Sequence, residues 1–176
     1  MQNLLEMTRL ESGALKLRKE WHPVEEVVGA ALNRLGKRLA GRRVRPRVPD
    51  DLPLVAIDDV LIEQVLVNLL DNALKYTPAG SPIDIVATAM DGTVTIEVAD
   101  RGPGLPPGEE DKVFEKFYRG RADGQRGAGL GLAICQGIVR AHGGRIWAQN
   151  VPEGGGAFLF TLPVGDAPPA VVPPDA

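Results

Sequence analysis

Asn68, Asn72 and Lys75 follow one another at i, i+4 and i+7. On a helix that spacing sets them within about 60° of one another, with Tyr76 at the edge of the strip. A carboxamide oxygen is a hard, neutral ligand. It suits a magnesium ion that draws most of its other oxygens from phosphates and water. A lysine ammonium can meet a phosphate as a point charge, and a phenol ring offers a face on which a base can stack. A merely solvated polar face is the competing reading of this stretch taken alone. Asp100, followed by Gly102 and Gly104, supplies a carboxylate able to accept from an exocyclic amine such as adenine N6. Guanine would turn a carbonyl toward it and leave the charge unpaired, which is how a polar site gains selectivity. The two glycines let backbone approach a ring, although Asp-x-Gly-x-Gly alone also describes an ordinary turn. Gly127, Gly129 and Gly131 precede or open a helix, where exposed N–H groups and the helix dipole favour an anion. Their spacing is neither that of the Gly-x-x-x-x-Gly-Lys phosphate loop nor that of the dinucleotide fingerprint.

These groups need elements to hold them. Val60, Leu61, Val65, Leu66, Leu69, Leu70, Ala73 and Leu74 recur at helical spacing over 59–78, bounded by Pro78. An earlier helix opens with Pro23 as its first residue and Glu25 and Glu26 at its positive end. Its stripe is Val24, Val27, Val28, Ala31, Leu35 and Leu39, and Gly41 closes it. His22 reads as a linker residue at a chain break. Strands are expected over 42–48, 54–57, 83–88, 93–100, 146–149 and 157–163, with a turn at Met90-Asp91-Gly92. A helix is expected over 130–142, with His142 as a capping residue rather than a base. Between them lies a long stretch rich in Gly, Pro and charge, carrying Val113-Phe114 and Phe117-Tyr118; such loops are functional or disordered. At the start, Met7, Leu10, Ala14 and Leu17 follow a 3-4-3 spacing. That suits either a terminal helix docked on its own domain or the end of a dimerisation helix.

The 176 residues are 44% hydrophobic and 24% charged, with a formal net charge of −3. This is the composition of one globular domain able to build a core, without the clustered basic charge of a nucleic-acid binder. Cys135 is the only cysteine, so an intrachain disulfide and a cysteine zinc cluster are excluded. No apolar run reaches membrane-spanning length, and the start does not read as a signal peptide. A cytoplasmic location is expected.

The order N-x-x-x-N-x-x-K-Y-T, D-x-G-x-G, F-x-x-F-Y-R, G-x-G-L-G-L and G-G-G-x-F resembles the catalytic ATP-binding domain of sensor histidine kinases, within the gyrase and MutL ATP-binding superfamily. The resemblance implies an α/β two-layer sandwich: a mixed, mostly antiparallel sheet of about five strands, covered on one face by about three helices. It implies an N-terminal hairpin-helix remnant over 1–20, the catalytic domain over 21–164 and a Pro-rich disordered tail over 165–176. Carried over by position, Asn68 and Asn72 match the N box, Asn72 is the expected magnesium ligand, and Asn68, Lys75 and Arg119 are the expected catalytic residues. Lys75 and Arg119 handle phosphate, Tyr76 stacks on adenine, and Asp100 reads it beside Gly102 and Gly104. Phe114 and Phe117 form a hydrophobic box at the base of a lid over 105–126. Gly127, Gly129, Leu130, Gly131 and Leu132 form the second glycine box. The implied cofactors are ATP and Mg2+. The implied partners are a phosphoacceptor hairpin of the same protein and a response regulator, with the parent a membrane-anchored homodimer. The chain's wording resembles the potassium- and turgor-sensing branch. Neither His22 nor His142 lies in the His-Asp/Glu-x-x-x-Pro context of a phosphoacceptor, so the nucleophile is expected upstream of Met1. Superfamily ATPases carry a water-activating glutamate where this chain has Asn68, which cannot act as a base. An ATPase, an anti-sigma-factor serine kinase and a degenerate interaction module remain the alternatives.

Overall fold

The computed structural model describes residues 16–105, 108–115, 131–152 and 154–164. Chain order is β1 (Glu20–His22), α1 (Val24–Leu35) with a 3-10 turn at Gly36–Leu39, β2 (Val44–Arg47), β3 (Val55–Ile57) and α2 (Asp59–Tyr76). There follow β4 (Ile83–Met90), β5 (Thr93–Ala99), a 3-10 turn at Lys112–Phe114, α3 (Gly131–Ala141), β6 (Ile146–Asn150) and β7 (Gly156–Pro163).

Five strands form the main sheet in the order β2-β4-β5-β7-β6. Only β2 and β4 run parallel; the other neighbours are antiparallel. Alternation decides which face is dry. In β5, Val94, Ile96 and Val98 are buried, and they stand opposite Ala89, Ala87 and Ile85 of β4 and Leu162, Phe160 and Phe158 of β7. The helices cover that face, with α1 packed on α2 and α2 on α3. Within α2, Ile62, Val65, Leu66, Leu69 and Leu70 are wholly buried, each contributing about 1.5–3 kcal/mol relative to exposure. The two-layer, mostly antiparallel architecture expected from sequence is the one observed.

Several local expectations are corrected. Val60 is not in the apolar stripe; it is 65% exposed, and Ile62 takes the buried position instead. Residue 60 stands about 160° around the helix from Ile62, on the side away from the core. Helix α1 starts at Val24, with Pro23 as its cap, and ends at Leu35 rather than near Gly41, because the chain tightens into a 3-10 turn from Gly36. Residues 16–19 are not helical, so Leu17 does not continue a helical heptad. His22 is not in a bare linker: Glu20–His22 pairs antiparallel with Val55–Ile57. Three residues without alternation carry no strand signal; the pairing comes from a partner 35 residues away. Met7, Leu10 and Ala14 lie outside the described residues.

Candidate functional site

Helix α2 carries the predicted ligand face, and three tethers fix it. At its start, the Asp58 carboxylate accepts from the Leu61 amide at 3.3 Å, a side-chain cap. Its second oxygen accepts from the Arg18 amide at 3.0 Å. The Asp58 amide donates to His142 Nε2 at 3.0 Å, and His142 Nδ1 lies 2.8 Å from the Ile138 carbonyl in the last turn of α3. An imidazole that accepts at Nε2 and donates at Nδ1 is neutral, and burial holds its pKa below the ordinary 6.5. His142 does cap α3, as expected, but its ring also joins α3 to the start of α2.

At the other end of α2, Arg42 spreads its guanidinium over the open carbonyls. It donates to Leu74 O at 3.2 Å, to Thr77 O at 3.0 Å and to Thr77 Oγ1 at 2.8 Å. A cation there faces the negative end of the helix dipole. In the middle, Asn68 Nδ2 donates to the Gly131 carbonyl at 3.4 Å, joining the ligand face to the first residue of α3. The thiol of Cys135 is buried beneath, 3.8 Å from Val65 O, and burial pushes its pKa up to about 12.

On the exposed strip, the Asn72 carboxamide is half-buried and has no hydrogen-bond partner among the described residues. Its oxygen is therefore available to a cation. No three His, Cys, Asp or Glu side chains cluster for a metal among the described residues. One neutral protein oxygen suits magnesium that is held mainly by phosphates. Lys75 Nζ lies 3.1 Å from Asp71 Oδ2, and the guanidinium of Arg38 meets the other Asp71 oxygen. Tyr76, the last residue of α2, is 38% exposed, which leaves its ring open to a ligand.

Asp100 sits just beyond β5. Its Oδ1 is occupied, accepting from Gly102 N at 2.9 Å and Gly156 N at 3.1 Å. The carboxylate is thereby oriented, and Oδ2 has no hydrogen-bond partner among the described residues. A Cβ on Gly102 would press on the Tyr76 carbonyl and the Thr77 methyl, so the chain after Asp100 passes directly against the end of α2. Gly155, at φ +101, lies so close that a Cβ would run into the Asp100 carbonyl. A Cβ on Gly104 would strike Asn150, whose carboxamide clamps Leu105 through both its amide and its carbonyl, at 2.7 and 3.2 Å. Phe114 is buried edge-to-face on Phe158, with ring centroids 6.1 Å apart.

The structure thus brings Asn68 to Gly131, and Gly102, which donates to Asp100, to the backbone at the end of α2 beside Tyr76. Leu132 is half-buried against the core. Phe117, Arg119, Gly127, Gly129 and Leu130 lie outside the described residues. Sequence reasoning passed over Arg42, Asp58, Asn150 and Asp71. Gly155 and Gly156 were visible in the motif order, but nothing in it said that they hold Asp100. A cavity of about 160 Å3 opens on the opposite face of the sheet, lined in part by Arg47, Asp84, Glu97 and Arg101. It reaches Asp100 but none of the α2 strip, so it is not the cradle. Glu97 there is pushed to a higher pKa, by burial first and then by neighbouring Asp84.

Known proteins resemble this chain in sequence and fold. The sensor protein KdpD of Escherichia coli strain K12 is 47% identical over 169 residues, which span 96% of this chain but only 19% of that protein. Full-length ShkA, solved in complex with AMPPNP, superposes with a TM-score of 0.84 at 30% identity, covering 96% of this chain and 36% of that one. The histidine kinase ThkA, solved in complex with the response regulator TrrA, gives a TM-score of 0.73 at 26% identity, covering 93% and 48%. Residues 57–166, from the last residue of β3 to just beyond β7, match the histidine kinase-, DNA gyrase B- and HSP90-like ATPase family, and the chain belongs to it.

Proposed function

We propose that this chain is the ATP-binding catalytic domain of a two-component sensor histidine kinase of the KdpD type. In this reading Asp100 Oδ2 accepts from the adenine amine, and Tyr76 stacks on the ring. Lys75 neutralises phosphate, with the N-terminus of α3 at Gly131 and Leu132 beside it. The observation that carries the reading is the fixing of Asp100: two backbone amides take one carboxylate oxygen and leave the other for a donor, beside the end of the helix that bears Asn72 and Lys75. Asn72 would hold Mg2+, which supplies charge neutralisation on the triphosphate when bound. Arg119, Phe117 and the glycine box complete the family's pattern.

Phosphoryl transfer asks a protein for positioning and charge stabilisation more than covalent help. Neither histidine of the chain suits the acceptor role. His142 is buried with both ring nitrogens engaged, and His22 stands between Glu26 and Asp59. The acceptor is therefore a histidine elsewhere in the parent protein, on a dimeric hairpin, and the phosphoryl group passes on to a response regulator. The parent is a membrane-anchored homodimer responding to potassium or osmotic change. The catalytic domain spans 21–164; of the hairpin remnant expected over 1–20, residues 16–19 are not helical and 1–15 lie outside the described residues, as does the tail expected over 165–176.

The reading is tested by mixing the chain with a phosphoacceptor hairpin of the parent and labelled ATP. Label should appear on the hairpin histidine and not on this chain. Asn68 donates its amide to Gly131 and offers no base, so release of free phosphate by the chain alone should be very slow. Brisk hydrolysis with no transfer would favour the ATPase reading.

A further inference from the structure

Asp71 immediately precedes Asn72, but on the helical wheel it stands about 100° from that residue and about 40° from Lys75. Its carboxylate is largely covered, with 22% of the side chain exposed, and it faces two cations. Lys75, one turn further along α2, is 3.1 Å from Oδ2. Arg38, from the 3-10 turn after α1, meets Oδ1. The two cations are more exposed, at 38% for Lys75 and 55% for Arg38. The pairing draws the Lys75 ammonium toward α1, to the side of the strip away from Asn72. A lysine held there must leave its carboxylate, or share it, before it can meet a phosphate beside Asn72.

We propose that Asp71 is a positioning residue that parks Lys75, and that Arg38 sets how firmly. When Lys75 turns to a phosphate, Arg38 remains on the carboxylate and keeps Asp71 from being left as a covered, unpaired charge, which would oppose the transfer. The inference rests on the reading of Lys75 as a phosphate contact. Asp71→Asn releases the lysine and should tighten ATP binding. Arg38→Gln leaves Asp71 to Lys75 alone and should weaken it. A partly exposed ion pair of this kind supports effects of about two- to fivefold in Kd. Binding of adenosine, which has no phosphate, should be unchanged by either substitution.

Through-space charge alone would give the same two signs, so the deciding measurement is a double-mutant cycle. ATP and adenosine affinities are measured by calorimetry for Asp71→Asn and Arg38→Gln, each in the native chain and in a Lys75→Met background, with thermal melts in parallel. Parking predicts that both effects on ATP vanish once Lys75 is gone. Effects that persist unchanged in the Lys75→Met background overturn the proposal in favour of a general field. Lowered melting temperatures with ATP affinity unmoved in both backgrounds overturn it in favour of a strut between α1 and α2. If Lys75→Met itself leaves ATP affinity intact, the assignment of Lys75 fails, and the proposal with it.

Discussion

Arg42 closes the end of the helix on which Asn72 and Lys75 stand, and its removal offers the sharpest test of how that helix is held. Arg42→Ala deletes donors to Leu74 O, Thr77 O and Thr77 Oγ1, at 3.2, 3.0 and 2.8 Å, and weaker ones to Ser81 O and Oγ at 3.3 and 3.4 Å. Hydrogen bonds from a charged donor contribute about 1.5–3 kcal/mol when well buried. Arg42 is only half-buried, and water can reach part of what it leaves. Thr77 Oγ1 also keeps its bond to Ala73 O. The favourable placement at the helix C-terminus adds about 0.3–1 kcal/mol. The sum is a loss of about 2 kcal/mol, or roughly 4–8 °C in Tm for a domain of this size. Arg42→Lys keeps the charge but cannot spread two nitrogens over separate carbonyls, so it should recover less than half of the loss. Differential scanning calorimetry of the three proteins reads the effect. ATP titration well below the lowest Tm should show weaker binding in Arg42→Ala, because Lys75 and Tyr76 lie in the turn that frays. A Tm for Arg42→Ala within a degree of the native chain would refute the claim that this guanidinium secures α2.

Other outcomes follow from the same geometry. Asp100→Asn replaces a pure acceptor with a group that also donates, and should weaken ATP binding by about 10- to 100-fold without lowering Tm by more than a few degrees; equal affinity for ATP in a fluorescence titration would remove Asp100 from the site. His142 is held neutral below its ordinary pKa of 6.5, so the unfolded chain binds the proton more readily than the folded one. The stability this contributes is fully present above 6.5 and is lost as pH falls from there toward the lower folded value. Denaturant midpoints should drop over that acid range, and His142→Gln should flatten the drop. Gly155→Ala forces a Cβ into the Asp100 carbonyl at φ +101, and should destabilise the fold by about 1–3 kcal/mol while loosening adenine recognition. The buried Cys135 thiol, with its pKa near 12, should react with a disulfide reagent only as fast as the domain opens; rapid labelling at pH 8 would contradict its burial.

The layers were legible because they rest on periodicity. The 3.6 spacing of Val65, Leu66, Leu69 and Leu70, and the strict alternation of Val94, Ile96 and Val98, are imposed by burial on one side, so the order of residues alone reveals them. The ligand strip was legible for the opposite reason, since Asn68, Asn72 and Lys75 interrupt that rule on one helix face. What stayed hidden are the residues whose role depends on a partner far along the chain. Arg42 lies 35 residues from Thr77 and reads as the start of a strand. Nothing local to Asp58 announces that its amide finds His142 across 84 residues. Asn150 ends a strand and clamps Leu105, 45 residues earlier. Such contacts are set by topology, which brings sheet edges and helix ends together.

Taken together, those hidden contacts explain how a single helix is held in place for the nucleotide proposed above. Helix α2 is tied at its start to the strand pair β1–β3 and to the end of α3, through Asp58 and His142. Asn68 ties its middle to the beginning of α3, and Arg42 seals its end. Because α3 is thus joined to α2 at both of its own ends, the two helices cannot slide past one another without breaking bonds at two places. The sheet contributes the other half of the site by a different device: Asp100 is aimed by amides of Gly102 and Gly156, and Gly102 abuts the end of α2. The Asp100 carboxylate and the end of α2 therefore share one corner. A ligand arriving there spends little on ordering these groups, and more of its contact energy remains as affinity. It follows that loosening any one tether should weaken ATP more than it weakens adenosine, because only the triphosphate needs both the sheet corner and the full length of α2 in register. A substitution at Arg42 or Asp58 that weakened both ligands equally would mean the corner alone sets the site, and the pinning of α2 contributes nothing to it.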